Sequence, residues 1–197
     1  MSKLNQIKKV ALELFAEKGF DATSMSTIAN AVGIKKASVY SHIKSKEGLY
    51  LLLLDEVLEW DRKHFKHLME SNEQLNAKEK FHLLFIEYCR LYQVEPYLTR
   101  MKFINRVMIF PPEIINSKHR NIFEEKEIQF FPILITLIHE GQESGEIKLI
   151  SEVEIISFFY CLIDGLFVES CYYKKKQFDN RSEKIWLMFW KAINDQT

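Results

Sequence analysis

The sequence predicts an all-α fold of about nine helices, with a small amino-terminal three-helix unit followed by a larger helical domain. Apolar residues recur at intervals of three and four along most of the 197 residues, which is typical of amphipathic helices. The chain holds only 6 Gly and 4 Pro, and this scarcity favours long helices over many turns. Apolar residues make up 47% of the chain, enough to bury a sizeable core and to exclude a largely disordered protein.

Two helices open the chain, and residues suited to helix ends mark their limits. The first is predicted over residues 3–18, because apolar residues share one face and Gly19 follows as a helix stop. The second is predicted over residues 25–32, with Ser24 as its N-cap. The free amides of the first turn of this second helix also form a natural seat for a phosphate group.

Three residues predict a helix-turn-helix. Ala29 is small enough to let two helices approach closely, and Gly33 suits the positive φ of a tight interhelical turn. Val39 then serves as an apolar anchor that pins a third helix, over residues 36–42, to the second. This arrangement leaves one face of the third helix free to enter the major groove of DNA. The residues on that face are Lys36, Ala37, Ser38, Tyr40, Ser41 and His42.

The charge distribution agrees with this interpretation. The whole chain has a net charge of zero, but residues 1–47 hold eight lysines against four acidic residues. The net charge of +4 suits contact with phosphates, although a solvated helix surface would look the same. We therefore assign residues 1–47 to a helix-turn-helix DNA-binding domain and residues 48–197 to a second, helical domain.

Each candidate DNA contact has an alternative structural interpretation. Tyr40 could be a core tyrosine, but Val39 takes the inward position, so we expect the Tyr40 hydroxyl to face outward and reach a phosphate. Lys46 could be an ordinary surface lysine. It follows the predicted N-cap Ser45, however, and a cation at a helix start is unfavourable unless an anion lies nearby.

The remaining candidates divide between base contacts and phosphate contacts. Ala37 and Ser38 are small, which suits either close approach to base edges or a crowded turn. His42 is either a base contact or a plain surface residue. Lys35 and Lys36 are predicted to contact the DNA backbone, which adds affinity without sequence information.

The stretch from Ile7 to Leu49 resembles the DNA-binding domain of the TetR family of bacterial transcriptional regulators. The resemblance is carried by Ala11, Leu14-Phe15, Gly19-Phe20, Thr23-Ser24, Ile28-Ala29, Gly33-Ile34, Val39-Tyr40, His42 and Ser45-Lys46-Glu47. It implies phosphate contacts by Ser24, Tyr40 and Lys46, and base contacts from the face spanning Lys35 to Ser41. Two positions depart from the family pattern, because Ala37 stands where glycine is common and Ile43 where phenylalanine is usual.

The second domain is predicted to be helical throughout. The fourth helix extends to about Glu70, and residues 72–76 form a loop. Further helices are predicted over residues 78–93, from Pro96 to the Pro111-Pro112 pair, over 119–144 with a kink near Phe131 at Pro132, over 152–173 and over 182–193. Residues 174–176, all lysines, are expected to form a solvated loop.

The last two helices predict a homodimer. Residues 155–163 and 185–190 are apolar on all sides, and a helix of this kind must be covered on all sides. We expect one side to pack on the protein's own core and the other on a partner chain. The family resemblance also implies dimerisation through these helices, near residues 152–173 and 182–193. A two-fold pair of recognition helices would read a palindromic operator.

Aromatic residues at helical spacing raise the possibility of a small-molecule pocket, although such stripes are more often plain core. The candidate lining residues are Phe85, Tyr88, Tyr92, Ile104, Phe131 and Phe159. Asp164 is an acid within an apolar helix, which would either bind an effector or make a structural pair, for example with Arg100 or Arg106. The family resemblance implies an effector site in this domain.

Together with the family resemblance, which implies repression and an effector, the sequence predicts a cytoplasmic repressor released from DNA by a mostly apolar effector. The three cysteines follow no metal-ligand spacing, and neither a signal peptide nor a membrane segment is recognisable. Neither a cofactor nor a metal is expected. One alternative is a DNA-binding dimer without a pocket that is regulated by a protein partner. An enzyme is disfavoured, because no catalytic motif is found and His64 and His67 lack companion ligands.

Overall fold

The computed structural model describes residues 2–116 and 120–194, and it describes no side chains from 116 to 131. Within these residues the protein consists of ten helices, and the only β pairing there is one isolated bridge between Ile147 and Asn194. The predicted all-α class is confirmed. The helices are α1 Lys3–Lys18, α2 Met25–Val32, α3 Lys36–Tyr40, α4 Lys46–Glu70, α5 Ala77–Leu91, α6 Tyr97–Ile109, α7 Glu113–Asn116, α8 Arg120–Glu143, α9 Glu152–Ser170 and α10 Lys175–Ile193.

The chain forms two compact units. The first unit comprises Met1–Asp61 and Glu95–Lys126, and the second comprises Arg62–Val94 and Glu127–Thr197. Helix α4 continues from the first unit into the second. The sequence suggests a different division, after residue 47, at the predicted end of the DNA-binding segment. That boundary stays a prediction.

Helices α1 and α2 begin and end at the predicted residues, because each end has a cap. The Ser24 hydroxyl accepts a hydrogen bond from the Thr27 N–H at 3.0 Å at the start of α2. Gly19 ends α1 with φ +83°, and Gly33 ends α2 in the left-handed conformation with φ +75°. Positive φ values are readily adopted by glycine and strained for other residues.

An aromatic cluster joins the helices of the first unit. The Tyr50 ring lies 4.9 Å from the Phe15 ring, 5.1 Å from Phe20 and 5.1 Å from Phe103, in edge-to-face arrangements. These side chains, from α1, the turn that follows it, α4 and α6, are almost completely buried. Burial also raises the pKa of the Tyr50 phenol well above its ordinary value. Through Tyr50, the cluster packs α6 against α1.

The second unit is built on the packing of α5, α9 and α10. The Phe159 ring of α9 lies 5.9 Å from Phe81 and 5.6 Å from Phe189, and all three are fully buried. Beside this apolar core, Glu87 accepts two hydrogen bonds from Arg90 at 2.6 and 2.7 Å and lies 2.5 Å from His64 Nε2. These bonds lower the pKa of the Glu87 carboxyl, although burial acts in the opposite direction.

Several elements differ from the prediction, and α5, predicted over residues 78–93, covers Ala77–Leu91. The prediction of a loop over the three lysines is wrong for residues 175 and 176, because α10 begins at Lys175. In its first turn Lys175 pairs with Asp179 at 2.9 Å, and Phe178 is buried. Helix α3 ends at Tyr40, since the Ser41 hydroxyl bonds the Ser38 carbonyl in a closing turn. Helix α9 ends at Ser170, three residues early, and the short α7 was not predicted. Pro132 lies inside α8, and the kink expected near Phe131 stays a prediction.

No helix in the described part of the chain is long and apolar enough to span a membrane.

Substitution of Gly19 by alanine tests the end of α1. A β-carbon at this position would meet Arg106 Nε at 2.7 Å, and the alanine would have to adopt φ +83°. We expect Gly19→Ala to lower the free energy of unfolding by about 2 kcal/mol, measured by urea denaturation. Gly48→Ala is the matched control, because its β-carbon makes only an ordinary contact with Ser45 Oγ at 3.4 Å within α4. Equal stabilities of the two variants would contradict this explanation.

Candidate nucleic-acid interface

The turn between α2 and α3 sets the direction of the recognition helix. The Gly33 N–H donates to the carbonyls of Ala29 and Asn30, and the Ile34 N–H donates to the Ala29 carbonyl at 3.0 Å. Ile28 and Ala29 of α2 are buried, and Val39 of α3 has no exposed surface. The short α3 is therefore fixed by one apolar anchor and a hydrogen-bonded turn.

The opposite side of α3 faces solvent. Tyr40 is 45% exposed although its neighbour Val39 is fully buried, as the sequence predicts. The other candidate contacts on this side are also exposed, namely Lys35, Lys36, Ala37, Ser38, Ser41 and His42. Their exposure makes them available to DNA, and their individual contacts stay predictions.

Two side-chain contacts determine which groups the exposed face of α3 presents to solvent. Lys36 Nζ lies 5.9 Å from the Tyr40 ring centroid, so an ammonium and a phenol lie side by side one turn apart. The Ser41 hydroxyl donates to the Ser38 carbonyl at 2.8 Å. Because that bond uses the only proton of the hydroxyl, Ser41 presents an acceptor to solvent, which suits a base amino group better than a phosphate.

The start of α2 offers a second group of donors. Ser24 is exposed, and its hydroxyl oxygen lies 2.8 Å from Thr27 Oγ1 as well as accepting from the Thr27 N–H. No acidic residue occurs in the first turn of α2. The partial positive charge of the helix start is thus left to interact with an anion.

Lys46 has a structural contact that the sequence did not reveal. Its ammonium donates to the Phe20 carbonyl at 2.9 Å and lies 3.9 Å from the centroid of the Phe20 ring. The half-buried side chain thereby ties the start of α4 to the turn after α1. An ammonium has three N–H donors, so this bond leaves the group able to contact a phosphate as well.

Two further residues shape the turn between α1 and α2. The buried Thr23 hydroxyl donates to the Gly19 carbonyl at 2.8 Å. Arg106, from α6, lies against Gly19 and donates to the Glu17 carbonyl at 3.3 Å. Thr23 stands beside the predicted N-cap Ser24 and could have been suspected from the sequence, whereas Arg106 is too distant in the chain to give any local signal.

Four of the predicted effector-binding residues lie in the second unit, and the effector site itself stays a prediction. Phe85, Tyr88, Tyr92 and Phe159 are buried in the second unit, where the Tyr88 ring lies 4.6 Å from Phe65, 6.1 Å from Tyr92 and 6.4 Å from Phe159. Ile104 is buried in the first unit, and the side chain of Phe131 lies outside the described residues. Two cavities in the described part, of about 390 and 490 Å³, are lined by other residues.

Asp164 is exposed on α9. Its role, either in binding an effector or in a structural pair, stays a prediction.

Among the residues that the structure describes, no group of three or more histidine, cysteine, aspartate or glutamate side chains could hold a metal ion. Cys89 is buried, which raises the pKa of its thiol to about 12, and Cys161 and Cys171 are exposed free thiols.

An exposed recognition helix, anchored by one buried valine and flanked by lysines and a free helix start, defines a helix-turn-helix DNA-binding protein. Comparison with known proteins agrees. The model of the family described as bacterial regulatory proteins, tetR family, matches residues 7–53. Residues 7–53 thus match the DNA-binding part of the TetR family of bacterial transcriptional regulators, as the resemblance in the amino-terminal stretch indicates.

Individual relatives are also transcriptional regulators. The HTH-type transcriptional repressor ComR of Escherichia coli (strain K12) is 26% identical over 166 residues, which are 81% of this chain and 75% of ComR. IcaR, the negative transcriptional regulator of the biofilm operon icaADBC in Staphylococcus aureus (strain Newman), is 52% identical over 40 residues, which are 20% of this chain and only 22% of IcaR.

A solved structure shows the same fold over nearly the whole chain. The transcriptional regulator FadR from Bacillus subtilis, in complex with stearoyl-CoA, matches with a TM-score of 0.73 and 22% identity. The match covers 96% of this chain and 99% of that one.

Proposed function

We propose that this protein is a cytoplasmic repressor that binds a palindromic operator as a homodimer and is released by a small, mostly apolar effector. The observation that carries the proposal is the contrast within α3, where Val39 is fully buried and Tyr40 is 45% exposed. Repression is supported by the names of ComR and IcaR, a transcriptional repressor and a negative transcriptional regulator.

The DNA contacts follow from chemistry and position. Ser24, Tyr40 and Lys46 contact phosphates, since their hydroxyl and ammonium groups are donors near the start of α2, on α3 and at the start of α4. Lys35 and Lys36 contact the backbone and add affinity that depends on salt. Base edges are met by the small or polar residues of the exposed face, which are Ala37, Ser38, Ser41 and His42.

Dimerisation is supported by apolar residues exposed on α9 and α10. Val153, Leu187 and Met188 are between 60% and 69% exposed, while the opposite sides of both helices are buried in the core of the second unit. Apolar side chains on a helix favour burial against a partner. A two-fold dimer through these helices presents two copies of α3 to the two halves of a palindrome.

Control by an effector is supported by the aromatic residues of the second unit and by the stearoyl-CoA complex of FadR, a protein of the same fold. The effector binds more tightly to a conformation in which the two recognition helices have the wrong spacing for the operator. Such a preference is required, because a ligand with equal affinity for both conformations shifts neither. Helix α4 is continuous between the two units and carries the change.

A second candidate function is a DNA-binding dimer without an effector, regulated by a protein partner. The mutual packing of the Tyr88, Tyr92 and Phe159 rings favours it, because those side chains already fill space that an effector would occupy. Lowered operator affinity on addition of a small molecule alone would contradict this second candidate, whereas equal affinity of the free and the ligand-bound protein would contradict control by an effector.

Selection of duplexes from a random DNA pool tests operator recognition. We expect wild type to recover one palindromic motif, and Lys46→Met to bind that motif more weakly with a reduced dependence on salt. Loss of one phosphate contact per protomer lowers the slope of log affinity against log salt by roughly 2 for a dimer. The control is Lys66→Met, which removes an exposed lysine of the second unit. Motif-free binding would contradict the proposal, and weaker binding with an unchanged slope would limit Lys46 to its structural contact.

Two negative charges introduced on α10 test the dimer. We expect the Leu187→Glu/Met188→Glu double variant to sediment as a monomer at micromolar concentration, because burial of two carboxylates in an apolar interface is unfavourable. Its far-UV circular dichroism should match wild type, since both side chains are exposed in the protomer. Ile86→Glu, at a similarly exposed apolar position on α5, should remain dimeric. A dimeric double variant would refute this interface.

A further inference from the structure

A cleft in the first unit is lined by none of the residues predicted to bind an effector. Its volume is about 390 Å³, and it opens between α1, α4 and the start of α6, a size that suits a small organic molecule. Its apolar lining consists of Leu12, Leu53, Val57 and Pro96. Leu53 and Val57 are buried, so the cleft has an apolar floor.

The acidic side chains and both lysines around the cleft already have partners. Lys8 pairs with Glu56 at 2.5 Å, and Lys9 lies 4.0 Å from Glu13. The third carboxylate, on Glu95, accepts hydrogen bonds from the hydroxyl and N–H of Thr99 at 2.8 and 3.4 Å. The two lysines thus offset the charges of Glu56 and Glu13, while the Oε2 of Glu95 is occupied by the two bonds from the neutral Thr99.

Arg100, which also lines the cleft, is held in a different way. Its guanidinium carbon lies 4.5 Å from the centroid of the Trp60 ring and 5.9 Å from that of Tyr97. These rings interact with the face of a guanidinium, whereas its N–H groups point outward in its plane. Partial burial lowers the pKa of Arg100, while Tyr97 and the buried Asp61 oppose the shift. A desolvated cation of this kind gains from an additional anion.

We propose that this cleft binds a small organic anion with an apolar body, whose carboxylate accepts hydrogen bonds from Arg100 and whose body covers Leu53 and Val57. A planar guanidinium can donate two parallel hydrogen bonds to a carboxylate. An amine would instead meet carboxylates that already have donors, and a neutral apolar molecule would leave Arg100 without the additional acceptor. The lining shares no residue with the predicted effector site, and the binding does not depend on the proposed regulatory function.

The test follows the indole N–H resonances of ¹⁵N-labelled full-length protein during titration. The probes are octanoate and octanamide, which share a chain and differ in charge, and Trp60→Phe identifies the Trp60 signal. We expect octanoate to shift the Trp60 resonance, because Trp60 lies under Arg100, and to bind about tenfold more tightly than octanamide. Arg100→Gln should weaken octanoate binding by about the same factor, whereas Lys66→Gln should leave it unchanged.

Leu12→Trp provides a test that keeps the cation in place. Leu12 is half-buried at the cleft, so a larger side chain there should block octanoate even where Arg100→Gln fails to fold. The proposal is overturned if octanoate at about 1 mM leaves the Trp60 resonance unmoved, if octanamide binds equally well, or if folded Leu12→Trp binds octanoate as wild type does. DNA binding plays no part in these readouts, so their failure leaves the proposed operator recognition untouched.

Discussion

The left-handed backbone at Gly33 is the constraint on which the DNA-binding surface depends. It reverses the chain between α2 and α3 within a few residues, so that Val39 can be buried while Tyr40 is exposed. No atom lies within 4 Å of a β-carbon built on Gly33. The requirement for glycine at this position is therefore conformational, whereas at Gly19 the neighbouring Arg106 adds a steric one.

The rest of the first unit fixes a different turn, the one between α1 and α2, from both sides. Arg106 and Thr23 bond carbonyls at the end of α1, and Lys46 bonds the Phe20 carbonyl from the start of α4. All three bonds hold a backbone carbonyl at the end of α1 or in the turn that follows, and together with the Tyr50 ring they fix how α1 meets its neighbours. The recognition helix α3 is held separately, by the buried Val39 and by the bonds of the Gly33 turn, because a helix this short is marginal on its own.

Sequence reasoning succeeded where a local signal exists. The ends of α1 and α2 were predicted to the residue because their signals are local. Gly19 and Gly33 act through their own backbone conformation, and Ser24 caps α2 with its own side chain. The start of α10 was missed because its N-cap, Lys174, makes no side-chain cap bond and looks like part of a solvated run.

Contacts between distant parts of the chain could not be predicted. Arg106 meets α1 across 89 positions, and the partner of Lys46 is a backbone carbonyl, which no residue type reveals. The same limit explains Asp164, because a lone acid in an apolar helix does not indicate which way it points, and the structure exposes it. The exposed face of α3 was predictable, since one buried anchor fixes the orientation of its neighbours.

The central claim is that α3 lies in the major groove, and tethered cleavage tests it most directly. An iron chelate attached at Ala37→Cys, in a Cys161→Ser/Cys171→Ser background, should cut a selected duplex at two places separated by one helical turn or a multiple of it, each turn being about 34 Å. The same chelate at Lys66→Cys, in the second unit, should give no localised cutting. Indistinguishable patterns from the two positions would contradict the assignment of α3 as the recognition helix.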